Sequence, residues 1–324
     1  MKIKNSKTAF VTFFPVLPNN MGSSTVVNSR FENWPTKKKL FQLSHLKNIN
    51  NKNIKTITLK REKPLNKIFS LPKLIKEIFD YLKNSKKKIL IVEGASWIFY
   101  SFITIFSFKI LFSELKIIYI SHSIESEIRK KFSNIFIYLL TKFLEKLTFN
   151  KCDIVTSVSN IEKNKIKKIY KQKTILFPNG IGLNKVVKIK KIKSNYIIYS
   201  GSYLYKPNKE AIDYLNHNVM PEIIKKFPNQ KLILTGGGYN KKHPWLINKN
   251  IVSKEYLYRL IYNSNCLCVP LKFGSGTRIK IIEALSLGAI VLSSAKGIEG
   301  VDLLNKKPPY IFNNNNLLKI LTTV

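Results

Sequence analysis

What most limits this 324-residue chain is an alternation of short apolar runs with helical segments, run through twice. In the first half, strands are expected near Ala9–Phe14, Ile54–Leu59, Ile89–Val92, Ile117–Ile120, Ile154–Ser157 and Thr174–Phe177. That pattern makes a parallel sheet covered by helices on both faces. Between the last two strands, Ser159 and Glu162 form an S-x-x-E capping box ahead of IEKNKIKKIYK, which places Ser159 at a strand-to-helix turn. Pro178-Asn179-Gly180 then leads into VVKIKKIKSN, a lysine-rich stretch with no face to bury. The alternation restarts after it: YIIYSG, a helix over 208–219, KLILTGGG, a helix over 254–262, CLCVPL, a glycine-rich loop, a helix over 277–287, and AIVLSS. The expectation is two doubly wound, Rossmann-like α/β domains, 1–187 and 188–324, which also suits a length too great for one ordinary core. The closing NNNNLLKILTTV reads as the start of a terminal helix, so the second domain is expected to be truncated or compact.

One segment tests that reading. Ala95–Phe112 (ASWIFYSFITIFSFKILF) is nearly all apolar and approaches the length of a membrane span. It carries Lys109 with interspersed Ser and Thr, and it lies between two strand-like runs, so a buried crossover helix is expected there. The basic start Met1–Lys7 is followed by an apolar run that Pro15 interrupts and Pro18 stops, which is not the pattern of a cleavable signal.

The formal net charge is +38, which by itself suggests an anionic partner. The charge comes from 51 lysines spread along the chain with only five arginines. Nucleic-acid readers exploit the forked guanidinium, so no specific nucleic acid is expected. Salt-sensitive attraction to anionic lipid is. Three cysteines, Cys152, Cys266 and Cys268, have neither zinc-site nor disulfide spacing and suit a reducing cytoplasm.

The densest chemistry lies in FGSGTRIKIIEALSLGAIVLSS, Phe273–Ser294. Gly274 and Gly276 let a backbone approach a ligand closely, and the helix they introduce offers unpaired N–H groups to an anion. Arg278 and Lys280 add two cations to that same helix start, where the dipole disfavours each by about 0.3–1 kcal/mol. A nucleotide diphosphate would compensate, accepting bonds from the loop and from both side chains. Thr277, Lys280 and Glu283 are expected on one helix face, so Glu283 would reach the same ligand and accept from ribose hydroxyls. An ordinary solvated Lys-Glu pair is the plainer alternative.

This stretch resembles the donor-binding segment of retaining glycosyltransferases of family 4, the glycosyl transferases group 1, in the subgroup with a G-S-G-T-R-x-K-x-x-E-A loop and helix. The similarity runs through YSGSYLYKPNKEAIDYL, KLILTGGG and VPLKFGSGTRIKIIEALSLGAIVLSSAKGIEGV, and is fainter in the first half. It implies a GT-B fold, two Rossmann-like domains facing across a cleft. Glu283 matches the second Glu of the family's Glu, seven residues, Glu signature, the one that holds the donor ribose; the first falls on Ser275. The diphosphate-binding turn of the family matches GSYLYKPN, which offers Ser202 and Lys206 but no Arg, so Arg278 and Lys280 would supply the missing charge. Gly236 and Gly237 end a strand and either line the site or give a flexible loop. YISHSIESEIR is similar to the family's H-x-x-E region and puts His122 beside the reacting sugar. Glu125 and Gly22 fall on the acceptor side, although a helix-start acid and a simple turn explain them almost as well.

The resemblance thus implies a retaining transfer of a sugar from a nucleotide-diphosphate donor to a hydroxyl of a glycan or lipid-linked acceptor, in cell-surface polysaccharide or lipopolysaccharide synthesis. No cofactor is expected, and no metal, because no D-x-D stands at a strand end. The expected location is cytoplasmic, with peripheral contact at the anionic inner membrane face. Two other classes stay open: a catalytically inactive nucleotide-sugar-binding scaffold, suggested by Ser275, and a basic nucleic-acid-binding protein.

Overall fold

A computed structural model describes residues 6–17, 22–46, 51–180, 192, 194–274 and 276–301, and the backbone of 310–312. The chain divides into two compact units, Met1–Gly180 and Ile181–Val324. The boundary expected at 187/188 falls in a segment outside the described residues, as does the terminal helix expected after Asn313.

The first unit is a parallel sheet of β1 (Ser6–Thr12), β2 (Lys37–Ser44), β3 (Ile54–Thr58), β4 (Lys87–Gly94), β5 (Lys116–Ser121), β6 (Ile154–Ser157) and β7 (Ile175–Leu176), in the order β3-β2-β1-β4-β5-β6-β7. Its helices are α1 (Gly22–Glu32), α2 (Pro64–Leu82), α3 (Ile98–Leu111), α4 (Glu125–Phe132), α5 (Ile135–Lys151) and α6 (Asn160–Tyr170). β2 was not among the strands expected from the sequence. Three lysines open it, and only its second half is buried. In the fold Gln42 is buried, accepting from the Val16 N–H at 2.8 Å and donating to the Thr56 hydroxyl at 3.0 Å, so a polar side chain serves a central strand at little cost.

Helices α2, α3 and α5 cover one face of this sheet in a cluster that includes Leu74, Ile105, Phe108, Leu144 and Phe149. On the other face, α1 packs Val27 and Phe31 against Phe10 and Leu40. The apolar segment tested above is therefore α3, a crossover helix between β4 and β5. Among the described residues no helix is long and apolar enough to cross a membrane. Ser159 caps α6 by accepting from the Glu162 N–H at 3.2 Å, while the Glu162 carboxylate receives the Val158 N–H, one residue before the cap.

The second unit repeats the topology with β8 (Tyr196–Ser200), β9 (Lys231–Thr235), β10 (Leu246–Asn248), β11 (Cys266–Val269), β12 (Val291–Ser294) and β13 (Tyr310–Phe312), all parallel, in the order β10-β9-β8-β11-β12-β13. β10 and β13 have three residues each, too few for a periodic signal. The helices are α7 (Lys206–Tyr214), α8 (Met220–Lys226), α9 (Lys254–Asn263), α10 (Ile279–Ser286) and the single turn α11 (Ala295–Ile298). The helix expected over 208–219 starts two residues earlier and runs through a π-helical turn, Leu215–Val219, into α8. That wide turn precedes Pro221, which has no N–H to give to the ladder. In both units the strand order reverses beside the first strand, between β1 and β4 and between β8 and β11. Open α/β sheets bind ligands at such switch points, beyond the carboxyl ends of the strands.

Candidate functional site

At the switch point of the second unit, the turn after β8 meets the loop after β11. Asn208, on α7, joins them: its Oδ1 accepts from the Tyr199 hydroxyl at 2.7 Å and from Lys280 Nζ at 3.2 Å, while its Nδ2 donates to the Ser202 carbonyl at 3.0 Å. Lys280 Nζ also lies 4.2 Å from the centre of the Tyr199 ring. The ammonium is thus held beside the carboxyl end of β8. Burial, reinforced by nearby Arg278, depresses its pKa to about 7, with Glu283 pulling the other way. A group in that condition gains strongly from an arriving anion.

Arg278 does not stand in the first turn of α10, as the sequence reading had it. It is the residue before the helix, with extended φ and ψ of −84° and 94°, and its carbonyl accepts from the Ile281 N–H at 2.9 Å. Its side chain folds back onto the loop, where Nη1 donates to the Gly276 carbonyl. Gly274 has φ +136°, a conformation that favours glycine, and a Cβ there would sit 2.7 Å from the Arg278 guanidinium, which would have to shift. The helix starts later than expected because Gly276 (φ +72°) and the extended Arg278 delay it. Thr277 is accordingly off the helix face assigned to it and donates instead to the Gly300 carbonyl at 3.4 Å. Ser275 lies outside the described residues.

Glu283 is 2% exposed. Its Oε1 accepts from Lys254 Nζ at 2.5 Å and from the Tyr258 hydroxyl at 3.2 Å, both on α9. The plainer alternative of a solvated Lys280–Glu283 pair does not hold: the carboxylate is buried and its ion pair is with Lys254 of α9. Ser202 accepts from the Leu204 N–H, Lys206 is exposed as the first residue of α7, and Gly236 packs tightly against the turn after β8. A Cβ at Gly236 would meet the Gly201 carbonyl carbon at 2.5 Å, and the Gly237 carbonyl accepts from the Tyr203 N–H at 3.0 Å. These glycines make a close contact between two turns. Tyr199, Asn208, Lys254 and Tyr258 escaped the sequence reading. Asn208 stands in the quoted GSYLYKPN, but only the fold shows where its amide goes.

In the first unit, His122 follows β5 and its Nε2 lies 2.6 Å from the Glu93 carboxylate at the end of β4. Arg30 of α1 meets both oxygens of Glu93 at 2.6 Å, and its guanidinium stacks over Phe177. Glu93 is fully buried. Burial pushes its pKa up, but Arg30 and His122 more than offset this and hold it below the usual value. Neither Arg30 nor Glu93 carries a sequence signal. Gly22 is exposed as the first residue of α1. Glu125 opens α4, and its carboxylate accepts from the Ile98 N–H at the start of α3 at 2.5 Å and from Arg129 at 2.8 Å. Burial lifts it to about 7 against the pull of Arg129.

With this geometry in hand, residues 194–318 match the family model of glycosyl transferases group 1. A Klebsiella pneumoniae sequence described as an uncharacterized 44.6 kDa protein in the cps region is 25% identical over 267 residues, which cover 76% of this chain. The match spans 63% of that relative's length. Among solved structures, the Anabaena protein HepE in complex with UDP and glucose superposes with a TM-score of 0.65 at 12% identity, covering 98% of this chain and 89% of its own. An alpha-glucosyltransferase in complex with UDP and a 13-mer DNA containing a HMU base gives 0.62 at 11% identity, with coverages of 98% and 89%. The fold is the GT-B fold.

Proposed function

We propose that this chain is a glycosyltransferase that moves a sugar from a nucleotide-diphosphate donor to a hydroxyl of a glycan or lipid-linked acceptor, with retention of anomeric configuration and without a metal. The observation that carries the reading is the meeting of Lys280 and Arg278 at the β8/β11 switch point, with the basicity of Lys280 depressed. The match of 194–318 to a glycosyltransferase family supports it, as does the cps-region relative for a role in polysaccharide synthesis.

Under this reading the diphosphate lies at the glycine loop and the start of α10. As the glycosidic bond loosens, negative charge collects on the β-phosphate. Fixed cations and N–H groups around Gly274–Lys280 stabilise it without the reorganisation that water would need. Glu283, held by Lys254 and Tyr258, faces the donor ribose. Ser202, Lys206, Gly236 and Gly237 line the donor side of the second unit; for His122, Gly22 and Glu125 of the first unit, roles at the sugar and the acceptor rest on the family resemblance alone.

The test is a thermal-shift panel of nucleotide sugars against the wild type and the Arg278→Ala, Lys280→Ala and Glu283→Gln variants. Ligand protection follows occupancy, so each tenfold loss of affinity removes about 1.4 kcal/mol of it. Protection is expected in the wild type and weakened in all three variants. The wild-type effect should also shrink as pH rises. An anion raises the Lys280 pKa from about 7, binding above that pH takes up a proton, and affinity falls by up to about tenfold per pH unit. Equal, pH-independent shifts in all four proteins contradict the assignment.

A further inference from the structure

We infer that the outer face of the α2, α3 and α5 layer is a docking surface for an anionic lipid bilayer. This does not rest on the proposed transferase activity. A globular helix normally turns an apolar stripe inward and a polar one to solvent, and α5 departs from that. Its inner face buries Leu144 and Phe149, yet Ile135, Phe136, Leu139 and Phe143 are exposed, Phe136 by 71% and Phe143 by 58%. These follow helical spacing and form a second apolar stripe pointing away from the core.

The neighbouring helices of the layer also expose apolar side chains. α5 packs against α3, and α3 against α2. On their outward sides Ile110 of α3 is 83% exposed and Phe69 of α2 78%. An exposed apolar stripe like that of α5 marks an interaction site. The charges beside it select the partner. Lys130, Lys131, Lys146 and Lys151 are exposed on α4 and α5. The acids of these two helices are accounted for: Glu125 pairs with Arg129, Glu127 with Lys165, and Glu145 is buried beneath α4, accepting from the Glu125 N–H. An apolar face flanked by lysines fits the interface of a bilayer with anionic headgroups. A second copy of the chain would cover the apolar stripe but would set these lysines against their own kind. α5 has 17 residues with Lys142, Glu145 and Lys146 at mid-length, so it lies on the bilayer and does not cross it.

The experiment is flotation of the whole chain with vesicles of phosphatidylcholine mixed with phosphatidylglycerol, and of phosphatidylcholine alone. Wild-type protein is expected to float with the anionic vesicles, less with neutral ones, and less in high salt. The double variant Phe136→Ser, Phe143→Ser removes apolar surface without adding charge, and should reduce partitioning at least about tenfold. Its thermal midpoint and its protection by nucleotide sugars should match the wild type, which separates this test from that of the donor site. Wild type that stays soluble beside anionic vesicles overturns the inference. Equal partition of variant and wild type, or equal binding to neutral and anionic vesicles, does the same. So does a wild-type dimer that the double variant converts to monomers without any vesicle binding.

Discussion

Replacing Lys280 with alanine is expected to slow sugar transfer by about a hundred- to a thousandfold, the usual consequence of deleting one preorganised charge donor, or about 2.7–4 kcal/mol of barrier. The magnitude follows from its position. Lys280 is already desolvated and held between Asn208 and the Tyr199 ring at the end of β8, so it need not reorganise when charge develops on the leaving group. The ligand-free fold gains little from this lysine, because burial and Arg278 both oppose its charge. The thermal midpoint of the variant without ligand should therefore stay close to that of the wild type. The check is the initial rate of nucleotide release from a nucleotide sugar at saturating donor. A rate within about threefold of wild type, worth less than 1 kcal/mol, would remove Lys280 from the chemistry.

The largest effect on stability is expected at Glu93. Removing one partner of a buried ion cluster leaves the other charge uncompensated and costs about 3–5 kcal/mol. Glu93→Ala strands Arg30, whose guanidinium otherwise meets both carboxylate oxygens, and removes the partner of His122. Urea unfolding of the whole chain at neutral pH should show that loss in the transition of the first unit. The double change Arg30→Met, Glu93→Leu should recover much of it, since apolar replacement of a buried pair is often close to neutral. A loss under about 1 kcal/mol for Glu93→Ala would mean that water reaches the cluster and solvates Arg30.

The sequence carried the periodicities well and the partnerships poorly. Strands such as Tyr196–Ser200 and helices such as α9 announce themselves, because one buried face repeats at the spacing of the backbone. β2 did not, since Lys37–Lys39 and Gln42 mask a strand whose polar groups are satisfied only by neighbours distant in sequence. The glycine loop and the cations after it were legible because glycines and helix-start cations violate local preference, and such violations gather at functional sites. Local rules could not show that Arg278 precedes the helix, that Glu283 turns to Lys254, or that Asn208 ties Lys280 to β8. The first turns on the local backbone at Gly276 and Arg278, and the other two on what another helix or strand brings within 3.2 Å. The Arg30–Glu93–His122 cluster is the extreme case: three residues from α1, β4 and the end of β5 that nothing in the primary order connects.

The central claim is that the cations at the start of α10 hold a pyrophosphate. A crystal structure of the chain with a nucleoside diphosphate tests it most directly. Phosphate oxygens are expected within hydrogen-bonding distance of Lys280 Nζ and of the Gly274–Arg278 loop, with the ribose toward Glu283. A nucleotide bound elsewhere, with Lys280 still resting on Tyr199 and Asn208, would contradict it.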